Sequence, residues 1–169
     1  YWHNGGDGVN PYCFGETLFD KLADDAIVVA GDGTACIVAF QTGRTKGTQR
    51  SFTDSGCAPM GFDLPAAIGA HHGSGGKPVV CLAGDGSIML NLQELQTIAG
   101  NRLPIKIFVL NNGGYHSIRQ TQLNFFCGNE VGVGPESGVT FPEFRKVAEA
   151  FGIPYRDCHG HNSLSDMVR

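Results

Sequence analysis

"LAGDGSIMLNLQELQTIAGNRLPIKIFVLNNGGYHSI", Leu82 to Ile118, decides the fold. Two apolar runs of strand length each end in a polar turn: Gly84-Asp85-Gly86 after the first, Asn111-Asn112-Gly113-Gly114 after the second. Between them Ile88, Leu92, Leu95 and Ile98 recur at i, i+4, i+7 and i+10, which predicts one amphipathic helix with Ser87 as its N-cap. Pro104 and Asn111 bound the second run too tightly for a helix, so "PIKIFVL" reads as a strand.

The same grammar extends upstream. "AIVVAGDG", Ala26 to Gly33, is a further strand entering a glycine turn, and Tyr12–Leu22 has apolar residues on a helical period. A Thr/Gln/Arg-rich segment follows from Gln41 to Ser55, and then "GCAPMGFDLPAAIGAHH" opens as a turn and continues as a small-residue helix. Downstream, a Gly-rich loop from Cys127 to Gly138 precedes a helix over Pro142–Phe151, with "IPYRD" as a short last strand. Strands that are continuously apolar and alternate with helices predict an α/β domain over 1–169, its parallel sheet covered by helices on both faces. Ligands of such sheets sit outside the carboxyl ends of the strands, where both turns of the opening stretch lie.

Composition agrees with a globular domain: 41% hydrophobic, 17% charged and 25 glycines in 169 residues, an excess of tight turns. A net charge of -4 lacks the basic field that nucleic acid or an anionic membrane surface requires, so a small polar ligand is the expected partner. No apolar run reaches membrane-spanning length, and no C-x-x-C pair organises the six cysteines, which reads as reduced, mostly buried thiols in a cytoplasmic protein. The chain starts at Tyr1 without a Met, which suggests a piece of a longer polypeptide. "GSGGK" lacks the Ser/Thr and the helix of a phosphate-binding P-loop, and His71-His72 and "HGH" (159–161) lack the further ligands of a zinc site.

Asp85 offers an anionic oxygen and Asn112 a neutral one, while the neighbouring glycines let backbone groups approach a ligand closely. Oxygen donors suit Mg²⁺ or Ca²⁺, and one carboxylate is too little charge for a protein-only cage. A ligand that contributes phosphate oxygens to the cation is therefore expected. A helix starting beside Asp85 would turn its positive end to the same anion.

Gly84-Asp85-Gly86, then 24 residues (87 to 110), then Asn111-Asn112 resembles the metal and diphosphate motif of thiamine diphosphate-dependent enzymes. "GCAPMGFDLPAAIGA" and "NNGGYHSIRQTQ" resemble the acetolactate synthase and decarboxylase branch, and the resemblance spans about residues 12 to 157. It implies Asp85, the Asn112 side chain and the Gly114 carbonyl as Mg²⁺ ligands, completed by two diphosphate oxygens and a water. Gly84, Gly86 and Ser87, the backbone of Tyr115, His116 and Ser117, and the upstream Gly33, Thr34 and Ala35 would border the diphosphate. Met60 would support the bent thiamine rings, with the Ala58 carbonyl and the Met60 N–H facing the aminopyrimidine edge.

By the same resemblance, the cofactor acts as its own base and as the electron sink for a 2-oxo acid, with pyruvate the expected substrate, joined after decarboxylation to another carbonyl compound. The glutamate that activates the cofactor belongs to a pyrimidine-binding domain, of the same or a neighbouring chain, and nothing in this segment resembles it. No catalytic residue is therefore assigned, the segment alone should not turn over substrate, and a homo-oligomer is expected. FAD binding is possible but not decidable from this segment, because in this branch it involves the middle domain. A non-oxidative 2-oxo acid decarboxylase, a catalytically silent module of the same fold and a separate small subunit are the alternatives.

Overall fold

The computed structural model describes residues 8–168. The flanking 1–7 and 169, included in the expected domain and bearing on the question of a longer chain, lie outside the described residues. Four parallel strands form one sheet: β1 (Ile27–Ala30), β2 (Arg50–Phe52), β3 (Val79–Gly84) and β4 (Ile105–Leu110), in the order β2-β1-β3-β4. Register is continuous across the centre, with Val28 opposite Val80 and Val80 opposite Lys106.

Helices cover both faces, as the strand pattern predicts. Side chains alternate along a strand, so Val28 and Ala30 face one layer while Ile27 and Val29 face the other. The first layer contains α1 (Pro11–Lys21), α2 (Thr34–Thr42) and α8 (His161–Met167), packed through Leu18, Phe19, Ala35, Ala39 and Leu164. The second contains α3 (Asp63–Gly73), α5 (Glu94–Gly100) and α7 (Phe144–Ala150), packed through Leu64, Ala67, Leu95, Ile98 and Phe144. Val28, Val29, Leu18 and Leu64 are fully buried, each worth about 1.5–3 kcal/mol relative to exposure. Gly15 lets α1 and α2 touch, since a Cβ there would lie 2.1 Å from Thr42 Oγ1.

The chain leaves β1 on one side of the sheet, through α2 to β2, and returns to the other side at β3. The carboxyl ends of β1 and β3 therefore flank the topological switch point. There α4 (Asp85–Ile88) starts directly from β3, and beyond β4 the helix α6 (His116–Phe125) begins.

Several sequence expectations change. The helix expected from Ser87 to Ile98 is broken into α4, a 3₁₀ turn (Met89–Asn91) and α5. Its N-cap is Gly84 and not Ser87, which sits inside the first turn with its side chain buried. "IPYRD" follows the sheet edge without joining it. The Ile153 N–H bonds back to the Ala148 carbonyl and Pro154 has no N–H to give, and a groove of about 620 Å³ is lined by this segment and by β4. β2 arises within the Thr/Gln/Arg-rich segment, where one exposed and two half-buried residues leave too short a pattern to read. All six cysteines are free, but only Cys13 and Cys81 are buried, whereas Cys57 and Cys127 lie exposed on loops.

Candidate functional site

Three chain turns meet at the carboxyl ends of β1, β3 and β4, and between them lies a small cleft of about 80 Å³. Gly33 and Thr34 border it from the start of α2, Gly84 to Ser87 from α4, and Asn112, Gly114 and the beginning of α6 from the β4 side. Three helix starts thus surround one space. Helix starts turn backbone N–H groups and a positive dipole end to that space, which favours an anion, although the N–H groups of Gly86, Tyr115 and His116 already have partners.

Asp85 is the charged centre of this arrangement. It is 2% exposed, and none of the ion pairs formed among the described residues reaches it. Its Oδ1 accepts the Gly86 N–H at 2.8 Å, and its Oδ2 accepts those of Gly113 at 2.7 Å and Gly114 at 3.0 Å. The Asn-Asn-Gly-Gly turn therefore folds around the carboxylate of a residue 28 and 29 positions earlier. Burial pushes the Asp85 carboxyl above its ordinary value, and the backbone N–H groups of Gly114, Gly86 and Gly113 pull it part of the way back.

Asn112 stands across the cleft, its amide nitrogen 3.4 Å from Thr34 Oγ1, and links the β4 turn to the start of α2. Asp85, Asn112 and Gly114 line the same cleft, and a carboxylate, an amide and a backbone carbonyl are oxygen donors of the hard kind that Mg²⁺ takes and zinc does not favour. The glycines fit a tight cradle. A Cβ on Gly86 would lie 2.1 Å from the Tyr115 ring, and one on Gly114 2.0 Å from the Val133 carbonyl oxygen. Tyr115 is braced in turn by Phe141 in an edge-on contact at 6.0 Å. At Gly33, which has φ +70° and nothing within 4 Å of a would-be Cβ, the backbone turns beside open space.

Of the residues expected at the site, Gly33, Thr34, Met60, Gly84, Asp85, Gly86, Ser87, Asn112, Gly114, Tyr115, His116 and Ser117 line this one cleft. Two do not. Ala35, in the first turn of α2, has its side chain fully buried in the core. Ala58 is exposed outside the cleft in a left-handed conformation (φ 47°), an uncommon state for a residue with a Cβ. The Ser87 hydroxyl is also committed elsewhere: it donates to Asp63 Oδ2 at 2.6 Å and accepts the Gly61 N–H at 2.9 Å. Only its backbone is available to an anion.

Two contributors escaped the sequence reading. Arg119, one turn into α6, donates from Nη2 to the carbonyls of Gly113 (3.2 Å) and Val133 (3.3 Å), and so ties the Asn-Asn-Gly-Gly turn to the Gly-rich loop. Asp63 is fully buried at the first turn of α3, and the signal for it was an acidic residue inside the otherwise apolar "GFDLPAAIGA". Burial raises its carboxyl above the ordinary value of 3.8, with the Ser87 hydroxyl and the Leu64 N–H lowering it in part.

A carboxyl raised on folding stabilises the fold fully below its unfolded value, and that contribution is lost as pH rises through the folded value. Urea unfolding across pH should therefore show the stability of Asp63→Asn gaining on that of wild type from about pH 4 upward, then running parallel once the carboxyl has ionised. A gap that moves the other way over that window would contradict the assignment.

Comparison with known proteins points in one direction. Residues 31–169 match the family described as thiamine pyrophosphate enzyme, C-terminal TPP binding domain. The acetolactate synthase isozyme 2 large subunit of Escherichia coli (strain K12) is 35% identical over 164 residues, which cover 96% of this chain and 28% of that protein. Acetolactate synthase 1, chloroplastic, of Nicotiana tabacum is 35% identical over 153 residues, 88% of this chain and 23% of that protein. The acetolactate synthase large subunit of Porphyra purpurea is 37% identical over 150 residues, 89% of this chain and 25% of that protein. The chain spans about a quarter of the length of these relatives.

Proposed function

This chain belongs to the thiamine pyrophosphate enzymes, through their C-terminal TPP binding domain, and from that premise we propose that it holds the diphosphate end of thiamine diphosphate through Mg²⁺ in an acetolactate synthase-like enzyme. The observation that carries the reading is the Asp85 carboxylate, buried without a cationic partner among the described residues and enclosed by the Gly113–Gly114 turn. Asp85, Asn112 and the Gly114 carbonyl would hold the metal. The N–H groups at the starts of α2 and α6 would hold the diphosphate oxygens, aided by the open approach at Gly33.

When bound, thiamine diphosphate supplies the nucleophile and the electron sink for decarboxylating a 2-oxo acid, here pyruvate, before the two-carbon unit is joined to another carbonyl compound. This chain's residues bind and orient: Met60 lines the same cleft, at the end expected to face the rings. Ligand sites for molecules of drug size occupy about 300–1,000 Å³, so a cleft of about 80 Å³ suits a diphosphate and leaves the rings to be covered by something else. Ile37, Phe40, Met60 and Ile118, on segments that border the cleft, and Met89 and Leu90 on the adjoining 3₁₀ turn, are exposed apolar side chains of the kind a partner domain buries. A pyrimidine-binding domain, of this or a neighbouring chain in a homo-oligomer, would complete the site and supply the activating glutamate. Among the described residues no helix is long and apolar enough to cross a membrane, and a cytoplasmic enzyme is the proposed setting.

Calorimetric titration with thiamine diphosphate tests the reading. Binding is expected with Mg²⁺ present and lost on chelation, and equal affinity with and without the metal would overturn it.

A further inference from the structure

A chain of buried hydrogen bonds links the two halves of the cleft. Asp63 lies at the start of α3 and has no exposed surface. Its Oδ2 accepts the Ser87 hydroxyl at 2.6 Å, and its Oδ1 accepts the Leu64 N–H at 2.9 Å. The same Ser87 oxygen accepts the Gly61 N–H at 2.9 Å, and the Gly61 carbonyl accepts from Asn91 Nδ2 at 2.7 Å. Gly61, at φ +86°, is pressed so close to the 3₁₀ turn that a Cβ would meet Asn91 Nδ2 at 2.8 Å and Leu90 Cβ at 2.9 Å. On its other side Asp63 packs on the end of β1, where a Cβ on Gly31 would fall 2.6 Å from Oδ2.

This arrangement is costly unless it has a use. Removing a carboxylate from water is unfavourable, and a hydroxyl with a neutral partner would have satisfied the same Gly61 N–H. What the carboxylate adds is direction: as a pure acceptor it forces the Ser87 proton towards itself, which turns the hydroxyl's lone pairs to Gly61. Gly61 directly follows Met60, and Ser87 is two residues from Asp85. The bonds thus run from the metal-side turn to the loop expected under the thiamine rings.

We infer that Asp63 is a positioning residue: through the Ser87 hydroxyl it holds the loop Ala58–Gly61, and with it Met60, at a fixed distance from the diphosphate grip around Asp85. The inference rests on the proposed function. It assigns Asp63 and Asn91 to placing the ring end of the cofactor and gives them no part in holding the diphosphate. Mg²⁺ with inorganic pyrophosphate reads the diphosphate grip alone, whereas Mg²⁺ with thiamine diphosphate reads the grip and the ring support together.

Both affinities should be measured by calorimetry on the full-length protein. In Asp63→Ala, thiamine diphosphate is expected to weaken by about tenfold while pyrophosphate stays within about twofold, the scale of one directed hydrogen bond. Asp63→Asn, whose amide oxygen can still accept from Ser87 but whose NH2 can also donate to it, should recover only part of that ratio. Asn91→Ala releases the same loop from its other side and should shift the ratio in the same direction, which keeps the test decisive if Asp63→Ala does not fold. A general loss of structure would weaken both ligands alike. Equal weakening of both ligands in Asn91→Ala and the Asp63 variants, or no change in either, overturns the inference. Failure of the wild-type protein to bind thiamine diphosphate overturns the underlying reading instead.

Discussion

Asp85→Ala should abolish Mg²⁺-dependent binding of thiamine diphosphate, weakening it by at least about 100-fold, or roughly 2.8 kcal/mol. The cation would lose the sole carboxylate of its oxygen set, and the two neutral oxygens left, Asn112 and the Gly114 carbonyl, carry no charge to replace it. The substitution also removes the acceptor for the N–H groups of Gly86, Gly113 and Gly114. Each unsatisfied buried donor costs about 1–3 kcal/mol, less wherever the cleft lets water take over, so the melting temperature should fall as well.

Asp85→Asn separates the two effects. It keeps an acceptor for part of the turn and should recover much of the stability, yet it offers no charge to the metal and should bind no better than the alanine variant. If Asp85→Asn retained wild-type affinity and the same Mg²⁺ dependence, Asp85 would have to be read as a purely structural anchor for the turn.

Gly114→Ala should be the most damaging single methyl group in the site. The new Cβ would lie 2.0 Å from the Val133 carbonyl oxygen, a backbone atom that cannot swing aside, and the residue's φ of +144° is one that a side chain disfavours. Backbone strain and overpacking each cost about 1–3 kcal/mol, so a loss of roughly 2–6 kcal/mol is expected by urea unfolding. Metal-dependent cofactor binding should fall with it, because Gly114 supplies both an N–H to Asp85 and the proposed carbonyl ligand. Gly113→Ala is the control. Gly113 also has positive φ, at +73°, but nothing lies within 4 Å of its would-be Cβ, so only the strain of about 1–2 kcal/mol applies. Equal damage from the two substitutions would mean that the close approach of Val133 does not matter.

Much of this was legible from residue order alone. The runs that became β1 and β3 are continuously apolar because both faces of the sheet are covered there, and that of the edge strand β4 is broken only by Lys106; such runs need no knowledge of neighbours to be recognised. The two polar turns follow strand ends, so their place on the ligand side of a parallel sheet followed from fold class. β2 was not legible, because three residues at a sheet edge are too few to show a period. α6 was equally hidden, since "HSIRQTQLNF" is mostly polar and its few large apolar residues, Ile118, Leu123 and Phe125, stay exposed.

Sequence by itself determined the parallel α/β class, the two motif turns and the oxygen chemistry of Asp85 and Asn112, because these depend on local hydrophobic pattern and residue type. Tertiary structure alone decided that the Asp85 carboxylate is wrapped by N–H groups from Gly113 and Gly114, and that Ser87 serves Asp63 and Gly61 instead of capping a helix. Those bonds join residues 24 to 29 positions apart, across crossovers that bring strand ends together only once the sheet has formed. Local pattern records which side of an element is buried, but hydrogen-bond partners at such separations are set by how the elements pack.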